Sequence, residues 1–303
     1  MKKIIRISLF AIIAIGLTFV SCKKSSTSTP TESTADQQQM AADENTQSVE
    51  MQNSLNEAND AMGTAAFGKT GNVYGATVVI DSTLKKITIT YNGNNKDNSR
   101  SRSGEIIIQL TSGNHWKDAG ANISVTYSTF KITNIFSQKS MTFDGTVNVT
   151  NQTGGRVFID ANVVHLATST AFKITFDDGT QRTWNLSRKR TFTNNAGELS
   201  VKEEGTGSAD GNSNLISWGQ NRKGDNFYTQ ISTPIIYNTM FSVKCPNNIM
   251  QGEKVHILNG STLTVTFGLN ISGNPVSGSA CPTSYLVKWV NAAGQSRSVL
   301  ITY

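Results

Sequence analysis

The chain has 303 residues, with 27 Lys and Arg against 21 Asp and Glu, and only 16% of its residues are charged. A charged fraction far under the roughly 25% of an average soluble domain excludes a coiled coil, a charged helical bundle and an acidic disordered chain. Ser, Thr, Asn and Gly fill the difference, which is strand and turn composition, and 37% hydrophobic with 8% aromatic residues is enough for a core in one or two domains.

Lys2, Lys3 and Arg6 precede an apolar run over 7–20 that ends in Phe19-Val20-Ser21-Cys22. This is the layout of a secretory signal peptide, expected over 1–21, with an apolar run too short for a comfortable permanent span. A small residue directly before a cysteine resembles a bacterial lipobox, and the resemblance implies that Cys22 is lipidated and becomes the first residue of the mature chain. Simple secretion with cleavage nearby is the alternative. Acyl chains contribute about 0.8 kcal/mol per buried methylene, so several of them hold a protein on a membrane without a spanning segment. The expected location is the cell envelope, as an outer-membrane lipoprotein. Lys23 in second place resembles the default for outer-membrane delivery, and the lack of acids directly behind Cys22 favours the periplasmic face over the cell surface.

With Cys22 assigned to the anchor, Cys245 and Cys281 remain. An even pair in an oxidising compartment is expected to form a disulfide. Between them, runs over 254–258 and 263–267 joined by Asn259-Gly260 read as a hairpin. The bridge would clamp its outer ends and stabilise by about 2–4 kcal/mol. Two free thiols buried as small hydrophobes are the alternative.

Residues 22–35, rich in Ser, Thr and Pro, read as a flexible tether. Over 36–68 the composition shifts to Gln, Ala, Glu, Asn and Met, and Met51, Leu55, Ala58 and Met62 recur at helical spacing, so an acidic helical arm is expected there. Residues 25–68 carry seven acids and no Lys or Arg, whereas 69–303 carry 22 bases and 14 acids. An arm of net charge −7 beside a body of +8 is attracted to it. The arm therefore either lies on the sheet or stands as a solvated stalk.

Past Gly71 the period changes from 3.6 to 2. Strand-like runs are expected at 76–80, 86–91, 105–110, 123–130, 141–149, 171–176, 182–192, 199–203, 227–232, 263–267, 285–290 and 298–303. Short connections favour antiparallel neighbours. Asn92-Gly93, Asp178-Gly179, the 194–197 stretch and Asn259-Gly260 offer turn residues that tolerate left-handed backbone. The expected fold is all-β, an antiparallel meander over 69–303 forming a sandwich or a strongly curved sheet, with an N-terminal helical arm. A division into two packed halves near 160–170 is left open.

The runs KKITITYNGNNKDNSRSRSGEIIIQLTSG, ISVTYSTFKITN, MTFDGTVNVTN, QRTWNLSRKRTFT and NFYTQISTPIIY, the last leading to Cys245, together resemble the uncharacterised β-rich lipoproteins of Bacteroidetes bacteria. The likeness covers roughly residues 77–303. It implies localisation, fold and disulfide, and no chemistry. The loop over 92–97 lacks a cysteine that relatives often carry there.

Catalysis needs titrating or ligating groups held close together. His115, His165 and His256 are far apart in the chain, and no zinc, nucleophile-elbow, phosphate-loop or dinucleotide motif is present. Glu203 and Glu204 are adjacent, so on a strand they face opposite ways, and Asp177-Asp178-Gly179 reads as a hairpin turn. No catalytic residue, metal or cofactor is therefore expected, and the chain is not expected to be an enzyme; a hydrolase with a site dispersed over loops is the less favoured reading. At period 2, Arg182, Trp184, Leu186, Arg188 and Arg190 share one face of a strand. Arg182, Trp184, Arg188 and Arg190 are thus the candidate binding residues for an anionic or sugar ligand, against a reading in which Trp184 joins the core margin and the arginines snorkel or pair with acids of the arm. Arg100 and Arg102 are expected in a loop. The reading that follows is a lipid-anchored envelope domain, structural or binding in role, with the membrane as partner and a glycan or an envelope protein as a further one. A carbohydrate- or peptide-binding module using exposed Trp and Arg is the alternative. Scattered bases argue against nucleic acid.

Overall fold

A computed structural model describes residues 73–303, apart from 158, 196–197, 240–243, 246–247, 279 and 303, together with residues 39, 40, 43, 44, 46, 47, 50, 51 and 54. The segments expected as signal peptide and tether, and Cys22 itself, lie outside the described residues.

Fifteen strands follow in chain order: β1 (Ala76–Asp81), β2 (Lys86–Asn94), β3 (Arg100–Ser112), β4 (Ala121–Asn134), β5 (Ser140–Asn151), β6 (Val163–Phe176), β7 (Gln181–Asn195), β8 (Glu198–Gly205), β9 (Gly207–Ala209), β10 (Asn212–Gln220), β11 (Asn226–Asn238), β12 (Ile249–Leu258), β13 (Ser261–Leu269), β14 (Ser284–Val290) and β15 (Ser296–Thr302). All belong to one antiparallel sheet, which runs β1 to β7 and then β10 to β15. The all-β meander is therefore observed as a single sheet and not as two stacked ones. Among the described residues β1 and β15 do not pair, so the sheet is open. β6 pairs with β5 and β7 through most of its length, so the sheet continues across 160–170. β8 and β10 share one place between β7 and β11. Gly205 sits opposite Arg188 and Ser217 opposite Leu186, which makes the two strands one, interrupted by an excursion that carries β9.

Alternation of buried and open positions, as in β4 and β6, makes one face of the sheet the core and leaves the other to Thr, Ser and Lys. A single sheet buries one face only by curling it inward or by covering it. Register shifts at four successive strand junctions bend this one. They coincide with positive φ at Gly104 (92°), Thr129 (44°), Gly145 (138°) and Ala171 (52°). Each bulge tightens the local twist, and aligned across β3 to β6 they crease the sheet along one line. The amides freed by the bulge are not orphaned: Thr129 N donates to Asp144 Oδ1 at 2.8 Å and Ala171 N to Asn185 Oδ1 at 2.9 Å. Inside the crease Tyr91, Phe130, Tyr127, Phe143, Phe172 and Trp184 form a chain of ring contacts from β2 to β7, with centroids 4.8–6.3 Å apart.

Two readings need correction. Asn92-Gly93 is not a turn: both residues continue β2, opposite Ser103 and Arg102. A Cβ on Gly93 would stand 3.2 Å from Gly75 Cα, so this glycine serves a close strand approach, and the connection to β3 begins after Asn94. Arg100 and Arg102 do not occupy a loop but open β3.

The arm expected over 36–68 lies mostly outside the described residues, and no continuous helix is defined among them. The nine described positions between 39 and 54 each have helical backbone. Met40 and Met51, 3% and 1% exposed, belong to the same core as the aromatic chain. Cys245 and Cys281 form a disulfide with Cα atoms 5.4 Å apart. It closes over the β12–β13 hairpin, whose turn holds Asn259 and Gly260 at φ 47° and 77°.

Candidate functional site

β7 occupies the middle of the sheet, between β6 and the β8/β10 strand, and the pleat turns Arg182, Trp184, Leu186, Arg188 and Arg190 to the inner face. The stripe read from the sequence thus shares one face, and that face is closed. Arg182, Trp184 and Arg188 are 1%, 2% and 3% exposed and Arg190 is 9% exposed. Guanidinium groups so buried need counter-charges.

Two carboxylates supply them. Glu44 accepts from Arg182 Nη2, and Ser217 Oγ on β10 donates to its other oxygen at 2.5 Å. The Arg182 guanidinium also lies 4.0 Å from the centre of the Phe227 ring. Burial pushes the Glu44 carboxyl up, and Arg182, His256, Ser217 and Lys254 together outweigh it, leaving the group below its usual range. Glu203 on β8 faces inward and accepts from Arg190 Nε at 2.7 Å; the same oxygen stands 3.9 Å from Arg188 Nη1. Burial opposes its ionisation, but Arg190 and Arg188 overturn this and hold the carboxyl at about 2. Glu204 points outward to Lys189 and Lys202, as adjacency on a strand requires.

Further acids of the 39–54 segment meet bases of the sheet. Asp43 forms a two-bond fork with Arg222, both at 2.7 Å, and Glu50 accepts from Arg100 Nε at 2.7 Å. Ser54 Oγ lies 2.8 Å from Tyr127 Oη, a phenol that burial pushes up to about 12.

Two histidines also lie inside. His165 sits between Trp116, tilted against it, and Phe192, which it meets edge-on, and burial, with Arg190 nearby, pulls it down to about 4. His256 is 3.1 Å from the Thr229 hydroxyl and is pulled down to about 3 by burial and by Lys254. Both are neutral at pH 7. Among the described residues no group of three His, Cys, Asp or Glu is placed to hold a metal. A depression of about 440 Å³ beside the disulfide, lined by Asn270, Ile271, Pro275, Val276 and neighbouring residues, has no titratable group in its wall. None of the four tryptophans is openly exposed: Trp184 is buried, and Trp116, Trp218 and Trp289 are half-buried.

Sequence reasoning finds the arginines and, as an alternative, their pairing with acids of the arm, but it does not single out Glu44 or Glu203, nor the buried places of Ser217, Tyr127, His165 and His256. For Glu203 a signal does exist, since one member of an adjacent acid pair on a strand must face inward. Glu44, 138 residues from Arg182, has no such local signal.

The fold and site define an all-β domain with one continuous antiparallel sheet and an ion-paired inner face. Comparison with known proteins finds no match: no family model, no curated protein and no solved structure matches this chain.

Proposed function

We propose that this chain is a lipid-anchored protein of the bacterial cell envelope, of the Bacteroidetes β-rich lipoprotein kind, and that it acts by binding or as a structural element and not by catalysis. The observation that carries the reading is the Cys245–Cys281 disulfide, a bond that forms and persists in oxidising compartments and agrees with the export signal expected over 1–21. Acyl chains on Cys22 hold it to the outer membrane, on the periplasmic face. The described positions of the acidic arm lie against the sheet, a reading supported by the three carboxylates Asp43, Glu44 and Glu50, each set against an arginine of the β-body. The non-catalytic part is supported by the engagement of the inner acids Glu44 and Glu203 with arginines. The partner is a ligand, a glycan or an envelope protein.

The test is the mass of the mature protein purified from membranes. A mass that begins at Cys22 and carries acyl chains, lost in Cys22→Ser together with membrane attachment, is expected. An unacylated mature chain in the soluble periplasmic fraction contradicts the anchor.

A further inference from the structure

β15 is the last strand of the open sheet and, among the described residues, pairs only with β14. Its free side presents a row of backbone N–H and C=O groups with no described strand beside it. Native sheets blunt such an edge with a proline, a lysine, a bulge or a very short strand. β15 has none of these: its 7 residues pair with β14 from Val290↔Ser296 to Ser284↔Thr302 without a register shift, and Arg297 is their one charge. Ser296 to Val299 are exposed in succession, so both faces of the strand are open there. Val299, 40% exposed, and Ile301 share a face with their register partners Val287 and Tyr285, and Tyr285 meets the Phe267 ring at 6.1 Å. On the other face a Cβ at Gly273 would stand 3.8 Å from Leu300 Cδ1, which brings the 270–275 connection, with Ile271 72% exposed, up to the edge. Apolar side chains thus flank the unpaired backbone on both faces.

We propose that β15 is a dimerisation edge, and that a second copy of this chain pairs with it antiparallel about a two-fold axis through Leu300. Opposed residues of an antiparallel pair share a face, so an axis relating two identical strands passes through a residue and not between two. Through Leu300 it sets Leu300 against the partner's Leu300, Val299 against the partner's Ile301 and Ser298 against the partner's Thr302, so apolar meets apolar and polar meets polar. Through Val299 it would set Arg297 against the partner's Ile301 and Ser298 against the partner's Leu300. The Leu300 axis also holds the two Arg297 side chains at opposite ends of the pair, so no like charges meet. What the edge asks of a neighbouring strand is therefore what β15 itself offers. The two sheets run into one, and the closed symmetry ends growth at two copies. The inference goes beyond the envelope role and does not depend on the anchor.

The experiment is sedimentation velocity of the mature chain carrying Cys22→Ser, which leaves no acyl chain to gather copies, from about 1 μM to about 1 mM, the range of a small interface. A monomer that passes into a dimer and stops there is expected. The axis places residue 300 against its own copy, so Leu300→Glu and Leu300→Lys are each expected to weaken the dimer about ten-fold or more, and an equimolar mixture of the two to restore it. Hydrogen exchange of the chain with Leu300 in place decides the matter even where these variants do not fold: amides of 296–302 that point away from β14 are expected to gain protection as concentration rises. The proposal is overturned by a monomer at every concentration, by growth past two copies, by a Leu300→Glu dimer of undiminished strength or by a mixture that restores nothing. Protection that does not change with concentration overturns it as well, and where that protection is high a segment of the same chain covers the edge. An unacylated Cys22 would leave all of these results unchanged.

Discussion

Gly104 shows at the scale of one residue why the sheet bends where it does. Its φ is +92°, and a Cβ there would lie 2.2 Å from the Thr129 carbonyl oxygen, so backbone meets backbone at the crease and no side chain fits. Gly179 has a similar φ of +80° in the β6–β7 turn, but a Cβ there would meet nothing within 4 Å. Gly104→Ala is therefore expected to cost about 3 kcal/mol or more, from the left-handed backbone plus displacement of β4, against about 1–2 kcal/mol for Gly179→Ala, where only the backbone term acts. Urea denaturation of the two variants checks this, and equal costs would show that the close approach is not rigid. Glu203 is the second residue on which much depends. Glu203→Gln leaves Arg188 and Arg190 without their shared carboxylate and is expected to cost about 3–5 kcal/mol, the penalty of an uncompensated buried charge. The same measurement applies, with a loss under about 1 kcal/mol standing against the arrangement, since that is the range of an exposed pair.

At the scale of elements, period-2 alternation is enough to place most strands, because one wet face and one buried face leave that pattern in every strand between them. β9 and β10 escape it, since Leu215 and Ile216 are both buried across a register shift and the alternation breaks there. Asn92-Gly93 misleads because a glycine needed for close packing against Gly75 looks, in sequence, like one needed for a turn. The stripe on β7 is legible as a face. That the face is closed is only partly so: Glu203 leaves a signal as the inward member of an adjacent acid pair, but the pairing of Glu44 with Arg182, 138 residues away, has no local signature. The β12–β13 hairpin is legible in Asn259-Gly260, and the Cys245–Cys281 bridge spans it across a separation of 36 residues. Replacing both cysteines by alanine is expected to lower stability by about 2–4 kcal/mol through the freer unfolded chain. Denaturation of the double variant tests this, and a change under about 1 kcal/mol would place the unbridged loop already ordered in the unfolded state.

At the scale of the whole molecule, the buried titratable groups set a common response to acid. His165 and His256 are held at about 4 and about 3, below the ordinary 6.5, and Glu203 is held at about 2, below 4.5. The unfolded chain takes up each of these protons at a higher pH than the folded one. Stability is full above about pH 7 and falls with pH, first through the window from about 6.5 down to 3 for the histidines, then from about 4.5 to 2 for Glu203. Melting temperature measured from pH 8 to pH 3 is expected to drop continuously, with a shallower drop between pH 6.5 and 4 in His256→Gln; a rise on acidification would contradict the buried neutral histidines. In the same interior the arginine face of β7 is closed by carboxylates, one of which comes from the segment before the sheet. A double-mutant cycle on Glu44 and Arg182 tests this most directly. Glu44→Gln and Arg182→Met should each cost about 3–5 kcal/mol, and the double variant should cost less than their sum by at least about 2 kcal/mol. Strict additivity, with single losses under about 1 kcal/mol, would mean that Glu44 and Arg182 do not meet and that the face is open.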